Sequence, residues 1–194
     1  MTILLATHNQ NKVEEIMNLI PKYITLKSLR DIDYHEEIEE TGVTLEENSK
    51  IKAETIFQKT GITSIADDTG LEVYALDYEP GVYSARYAGS QKSDAQNMEK
   101  LLHKLELESD RRARFRTVFT LRTVHETLQF EGIVEGQITR EKAGEFGFGY
   151  DPVFIPEDKS LTFAQMTMED KNKINHRARA LSKLVAYLTS QNML

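Results

Sequence analysis

The sequence predicts an α/β fold, a mixed twisted sheet flanked by helices. Strand-length apolar runs alternate with helical patterns in the first half of the chain, and from Ala113 to Ile138 the hydrophobic period shortens to two. No repeat, low-complexity tract or linker splits the 194 residues into independent domains.

Residues 2–7, Thr-Ile-Leu-Leu-Ala-Thr, read as a short buried strand. The polar stretch His8-Asn9-Gln10-Asn11 leads into a helix whose apolar face is Val13, Ile16, Met17 and Ile20, closed by Pro21. Thr44 with Glu47 three residues on is a capping box, and Gly61 stops the helix it opens. Residues 62–67 read as a second buried strand that ends at Asp67-Asp68-Thr69-Gly70. Ser93, with Gln96 as reciprocal cap, opens a third helix faced by Met98, Leu101, Leu102 and Leu105. Phe115, Thr117, Phe119 and Leu121 then alternate with Arg114, Arg116, Thr120 and Arg122, as in a strand with one wet face, and residues 127–138 supply its antiparallel partner. On one continuous helix Lys171, His176 and Arg177 would point to about 0°, 140° and 240° around the axis. A helix boundary is therefore predicted at Asn175, a good N-cap, with Leu181, Leu184, Val185 and Leu188 forming the apolar face beyond it.

A chain of this length buries roughly 70% of its unfolded surface and needs no staple. It has no cysteine, so disulfides and thiolate metal sites are excluded and any metal must sit on oxygen or imidazole. The 24 Lys plus Arg against 31 Asp plus Glu give a charge of −7, which argues against a polymeric nucleic-acid partner. A small polyanion would need local cations or a metal. No apolar run approaches a membrane span, so no membrane partner is expected. Met1 to Ala6 carry no basic leader, and a cytoplasmic chain starting at Met1 is expected.

Five segments carry candidate chemistry, and each also has an ordinary structural reading. Thr7-His8-Asn9-Gln10-Asn11-Lys12 hands a strand over to a helix N-terminus, which favours an anion or is simply a cap. Glu36-Glu37-Ile38-Glu39-Glu40 is an acidic run, by default a solvated loop. Asp67-Asp68-Thr69-Gly70 offers a hard-cation ligand and a base, or an Asx-turn. Gly144 to Pro152 combines glycines, aromatics that stack on a planar ring, and Asp151, which accepts from a base edge; the same composition marks a packed turn. Lys171 to Arg177 is a second anion-facing boundary or a solvated basic face.

Taken jointly, these segments resemble the inosine/xanthosine triphosphate pyrophosphatase family. The resemblance runs from about Ile3 to Leu188, through Thr7–Lys12, Glu39-Glu-Thr-Gly42, Ala66-Asp-Asp-Thr-Gly-Leu71, Pro80–Gly89, Phe146–Pro152 and Glu169–Arg177. Local departures are Asp77-Tyr78 where relatives usually carry two glycines, Tyr74 where many have aspartate, and Asn175 where serine is usual. The resemblance implies a homodimer of two-lobed chains, each with a central cleft, and a required Mg²⁺. It makes Asp68 the general base and, with Glu39, a metal ligand, with Glu40 as the alternative to Glu39 and Asp67 sharing work with Asp68. It assigns the phosphates to Thr7, His8, Asn9, Gln10, Asn11, Lys12, Thr69 and Lys171, and the base to Phe148, Gly149, Tyr150, Asp151, His176 and Arg177.

The implied reaction is hydrolysis of nonstandard purine triphosphates (ITP, dITP, XTP) to the monophosphate and pyrophosphate. Water attacks in line at the α phosphorus. A donor such as Arg177 or a nearby N–H at purine O6 would accept inosine or xanthosine and meet a donor in adenine. The alternatives are a phosphatase releasing orthophosphate and a non-catalytic nucleotide-binding module.

Overall fold

The computed structural model describes residues 2–191. Its first strand, β1 (Thr2–Leu5), starts at an exposed Thr2 and enters a run, Ile3 to Ala6, that is wholly buried. Ile3 and Leu5 enter one apolar cluster and Leu4 and Ala6 another, which is why the run is continuously apolar: both faces of the strand are covered. β1 pairs in parallel with β2 (Thr25–Ser28). The sequence reading did not single out β2, whose four residues, Thr-Leu-Lys-Ser, are too few and too polar to show a period. Between them runs α1 (Gln10–Leu19), capped by Asn9, whose side chain accepts from the Lys12 amide at 3.2 Å. Val13 and Ile16 are buried, but Met17, predicted on the same face, is 41% exposed, and Glu15 is buried instead.

The capping box forms as predicted at the start of α2 (Leu45–Thr60). Thr44 Oγ1 accepts from the Glu47 amide at 3.1 Å, and Glu47 Oε2 accepts from the Thr44 amide at 3.2 Å. Gly61, at φ 68°, ends the helix in the left-handed region. Thr44→Ala is expected to lower stability by about 1 kcal/mol, read as a shift in urea midpoint at unchanged slope.

The next strand, β3 (Ser64–Val73), corrects the sequence reading. It does not end at Asp67-Asp68 but runs through them for ten residues, almost entirely buried. Buried carboxylates survive inside a strand only when cations neutralise them, and these are neutralised. Gly70 lies within β3 because a Cβ there would meet the Gly81 carbonyl oxygen at 2.6 Å. Asp77 (φ 50°) and Tyr78 (φ 67°) keep a left-handed backbone without glycine.

Ser93 caps α3 (Asp94–Lys104), accepting from the Gln96 amide at 3.4 Å; Met98, Leu101 and the following Leu105 are buried. β4 (Arg112–Arg122) and β5 (Thr127–Ile138) are neighbours joined by a short turn, closed by the Thr123 amide on the Glu126 carbonyl at 2.9 Å, and so are antiparallel. Thr120, predicted on the wet face, is fully buried: its hydroxyl meets Ser49 Oγ at 2.7 Å and accepts from Gln129 Nε2 at 3.0 Å. β6 (Phe154–Pro156) pairs antiparallel with β5. A helix boundary falls at Asn175 as predicted, between α4 (Met168–Asn172) and α5 (His176–Ser190).

The sheet order is β2-β1-β3-β4-β5-β6, with β1 parallel to β2 and β3, hence mixed. By contacts the chain forms two compact units. The first comprises the described residues of Met1–Asp68, Thr117–Gly132 and Arg177–Leu194; the second is Thr69–Arg116 with Ile133–His176. The first unit holds the two apolar clusters of β1, one containing Phe119, Leu121, Leu181, Leu184 and Leu188, the other Leu29, Ala53 and Ile56. The core of the second is aromatic, with Phe115 edge-on to Phe154 at 4.7 Å and both packed against Phe163. Among the described residues no helix is long and apolar enough to cross a membrane.

Candidate active site

Strand alternation sets the geometry of the first unit. Ile65 belongs to the apolar cluster of α1 and α5, and Ala66 to that of α2, so Asp67 follows Ile65 to one face of β3 and Asp68 follows Ala66 to the other. The adjacent carboxylates are therefore not a pair.

Asp67, fully buried, takes Lys12 Nζ at 2.9 Å and Arg177 Nε at 3.3 Å. The same guanidinium bonds through Nη1 to Glu15, the acid on the inner face of α1. Burial works to raise the Asp67 pKa, but the charges of Lys12, Arg177 and Lys52 outweigh it and hold the carboxyl well below the usual carboxylate range. Lys12 is lowered, because desolvation exceeds the attraction of Asp67.

On the opposite face Asp68 meets Lys52 Nζ at 3.0 Å, and the same ammonium reaches Glu40 Oε1 at 2.7 Å. Burial raises the Asp68 pKa despite Lys52 and Lys12, while Lys52 is raised because Asp68, Glu40 and Asp67 together overcome its desolvation. A desolvated carboxylate with a raised pKa is a stronger base than a free one. Asp68 and Glu40 converge on one cationic group, so they fit a shared hard cation. No cluster of three or more acids or histidines among the described residues would complete its shell, and phosphate oxygens and water would have to do so.

Of the predicted phosphate loop, Thr7 Oγ1 accepts from the Asn9 amide at 3.2 Å, Asn9 caps α1, and His8, Gln10 and Asn11 are exposed. Glu39, the predicted metal ligand, is exposed, and Glu40 is the one that faces Asp68's lysine. Thr69 follows Asp68 on β3.

In the second unit the structure joins Lys171 to Asp151, Nζ to Oδ2, at 2.7 Å, both side chains buried. Asp151 also accepts from the Phe148 amide at 2.9 Å, and the Lys171 ammonium lies 5.1 Å from the Phe148 ring centroid. Gly149 donates its amide to Asp94 at 2.7 Å, and Tyr150, buried, donates its hydroxyl to the Ser84 carbonyl at 2.9 Å. Gly147, at φ 77°, leaves room for Asp151: a Cβ there would stand 2.1 Å from Oδ2. The turn 147–151 is thus built around a buried ion pair.

Arg177 and His176 are both buried. Arg177 is 1% exposed and bonds to Asp67 and Glu15. His176 is buried, its ring stacked on Phe115 at 4.6 Å in the aromatic core.

Sequence reasoning missed Glu15 and Lys52. The signal for Lys52 was present: α2 turns Leu45, Asn48, Ser49, Lys52, Ala53 and Ile56 inward, and a lysine at i+3 and i+4 from that face requires an acidic partner.

Fold and site together define a mixed α/β protein whose strand β3 delivers two buried carboxylates to opposite faces, one paired with Lys12 and Arg177 and the other with Lys52. The chain belongs to the Ham1 family, whose model matches residues 3–187. It is 50% identical over 189 residues to a dITP/XTP pyrophosphatase of Christiangramia forsetii, a match covering 97% of this chain and 100% of that protein. A dITP/XTP pyrophosphatase of Bacillus licheniformis is 52% identical over 190 residues, covering 96% and 97%. The solved Ham1 protein of Staphylococcus aureus superposes with a TM-score of 0.89 at 43% identity, covering 98% of this chain and 100% of that one.

Proposed function

We propose that the chain hydrolyses nonstandard purine nucleoside triphosphates (dITP, XTP and ITP) to the monophosphate and pyrophosphate. The observation that carries the reading is Asp68: a carboxylate held by one lysine on β3, with its pKa raised by burial, in a chain about half identical to dITP/XTP pyrophosphatases. Asp68 takes the proton from the water that attacks the α phosphorus. Lys12, Lys52 and the N-terminus of α1 oppose the triphosphate charge, and Asp67 keeps Lys12 in place from behind the strand. Asp68 and Glu40 would hold Mg²⁺, which supplies charge neutralisation at the phosphates when bound. In the second unit Lys171 braces Asp151 in the turn 147–151, the segment that the resemblance assigns to the base.

The chain works as a cytoplasmic homodimer in this reading; a single sedimenting species of twice the chain mass is the expected result. The deciding experiment incubates purified protein with ITP and Mg²⁺, assays pyrophosphate against orthophosphate, and runs ATP beside it. Pyrophosphate from ITP, with little from ATP, is expected. Orthophosphate as the sole inorganic product would overturn the reading in favour of a phosphatase, and equal rates on ITP and ATP would remove the base selectivity. Gly147→Ala, which drives a Cβ into Asp151, is expected to raise KM for ITP more than it lowers kcat.

A further inference from the structure

Glu40 reaches Lys52 from the end of an acidic segment whose remaining residues lie away from Asp68. Between Asp33 and Thr41 the chain forms neither helix nor strand, so no backbone ladder holds this segment. Side chains hold it. Tyr34 and Ile38 pack on the cluster of Leu4, Ala53 and Ile56. Glu36 meets Lys59 Nζ through both oxygens, at 2.8 and 2.6 Å, and Glu40 meets Lys52 Nζ at 2.7 Å. Residues 34, 36, 38 and 40 make these contacts, at the two-residue spacing of an extended chain; Tyr34, Ile38 and Glu40 are half-buried and Glu36 is exposed. Lys52 and Lys59 stand seven residues apart on α2, roughly 10.5 Å along its axis, and four extended residues span about 13 Å. The segment thus runs against the direction of α2, and its two acids match two lysines two turns apart.

A third tether comes from the phosphate loop. The His8 ring donates through Nε2 to the Glu36 carbonyl at 2.9 Å and stacks on Tyr34, with centroids 6.1 Å apart and planes 15° apart. Lys59 Nζ lies 5.6 Å from the centroid of the same Tyr34 ring. His8 therefore directs its side chain at the acidic segment.

We infer that residues 34–40 are a strap that carries Glu40 to Asp68's lysine, and that His8 and Lys59 are positioning residues that fasten its far end. The inference rests on the proposed function only for its catalytic consequence; the fastening itself is independent of it. An exposed ion pair or stack is individually weak, so losing one tether loosens the strap without unfolding the chain.

The test compares Lys59→Met, Lys59→Arg and His8→Phe, the last keeping an aromatic ring on Tyr34 but removing the donor. Hydrogen exchange by mass spectrometry on the full chain is expected to be roughly two- to fivefold faster over residues 34–40 in Lys59→Met and His8→Phe. Exchange in β1 and β3 should not change, and Lys59→Arg should restore protection. In ITP hydrolysis the Mg²⁺ concentration giving half-maximal rate should rise in Lys59→Met, with KM for ITP at saturating Mg²⁺ nearly unchanged, and return in Lys59→Arg. Unchanged exchange over the strap in both variants would overturn the fastening. Faster exchange with an unaltered Mg²⁺ requirement would overturn the positioning role. A wild-type chain inactive on ITP would instead refute the proposed function and leave the exchange result to judge the strap.

Discussion

Asp68→Asn is expected to lower turnover of ITP by at least about 10²-fold while the chain stays folded, the lower end of what a general base contributes. Asparagine keeps the shape of the side chain and an oxygen for Lys52 at the present 3.0 Å contact, so the packing on that face of β3 is retained. The lost charge does not strand a buried cation either, because Lys52 keeps Glu40 at 2.7 Å. The variant therefore separates chemistry from stability: steady-state pyrophosphate release should collapse while the urea midpoint moves little. Near-normal turnover would remove Asp68 from the role of base.

Asp67→Ala is expected to do the reverse and destabilise the fold by about 3–5 kcal/mol, the cost of breaking a buried ion pair by removing one partner. Asp67 is 0% exposed, and its loss leaves Lys12 without its 2.9 Å partner and Arg177 dependent on its ion pair with Glu15. Against a typical total of about 5–15 kcal/mol that is a large fraction, visible as a lowered urea midpoint. The pH dependence has a definite sign. The Asp67 pKa is depressed in the folded chain, so it contributes stability at pH values above its unfolded value, near 3.9, and that stability is lost as pH falls through the folded value. Asp67→Ala should accordingly flatten the acid limb of the stability profile, whereas Asp68, with its raised pKa, works in the opposite direction. An unchanged urea midpoint would show that Lys12 and Arg177 do not depend on Asp67.

Much of the fold was legible along the chain because the signals are local. The capping box at Thr44 and Glu47, the stop at Gly61 and the boundary at Asn175 each depend on residues within a few positions, and each formed. β2 was not legible, since four half-polar residues become a strand only because β1 offers an edge to pair with. The far half of β3 was misread for a related reason: Asp67 and Asp68 look like the end of a strand until the cations that bury them are in view.

The sequence by itself determined the architecture and the family, and it named the segments to which chemistry is proposed. Only the tertiary structure decided which charges answer which. Arg177 lies 110 residues from Asp67 and 162 from Glu15, Lys171 lies 20 from Asp151, and Lys52 lies 16 from Asp68. No spacing rule links such positions. A buried charge must be neutralised by whatever group the packing brings within a few ångströms, and that is a property of the folded chain.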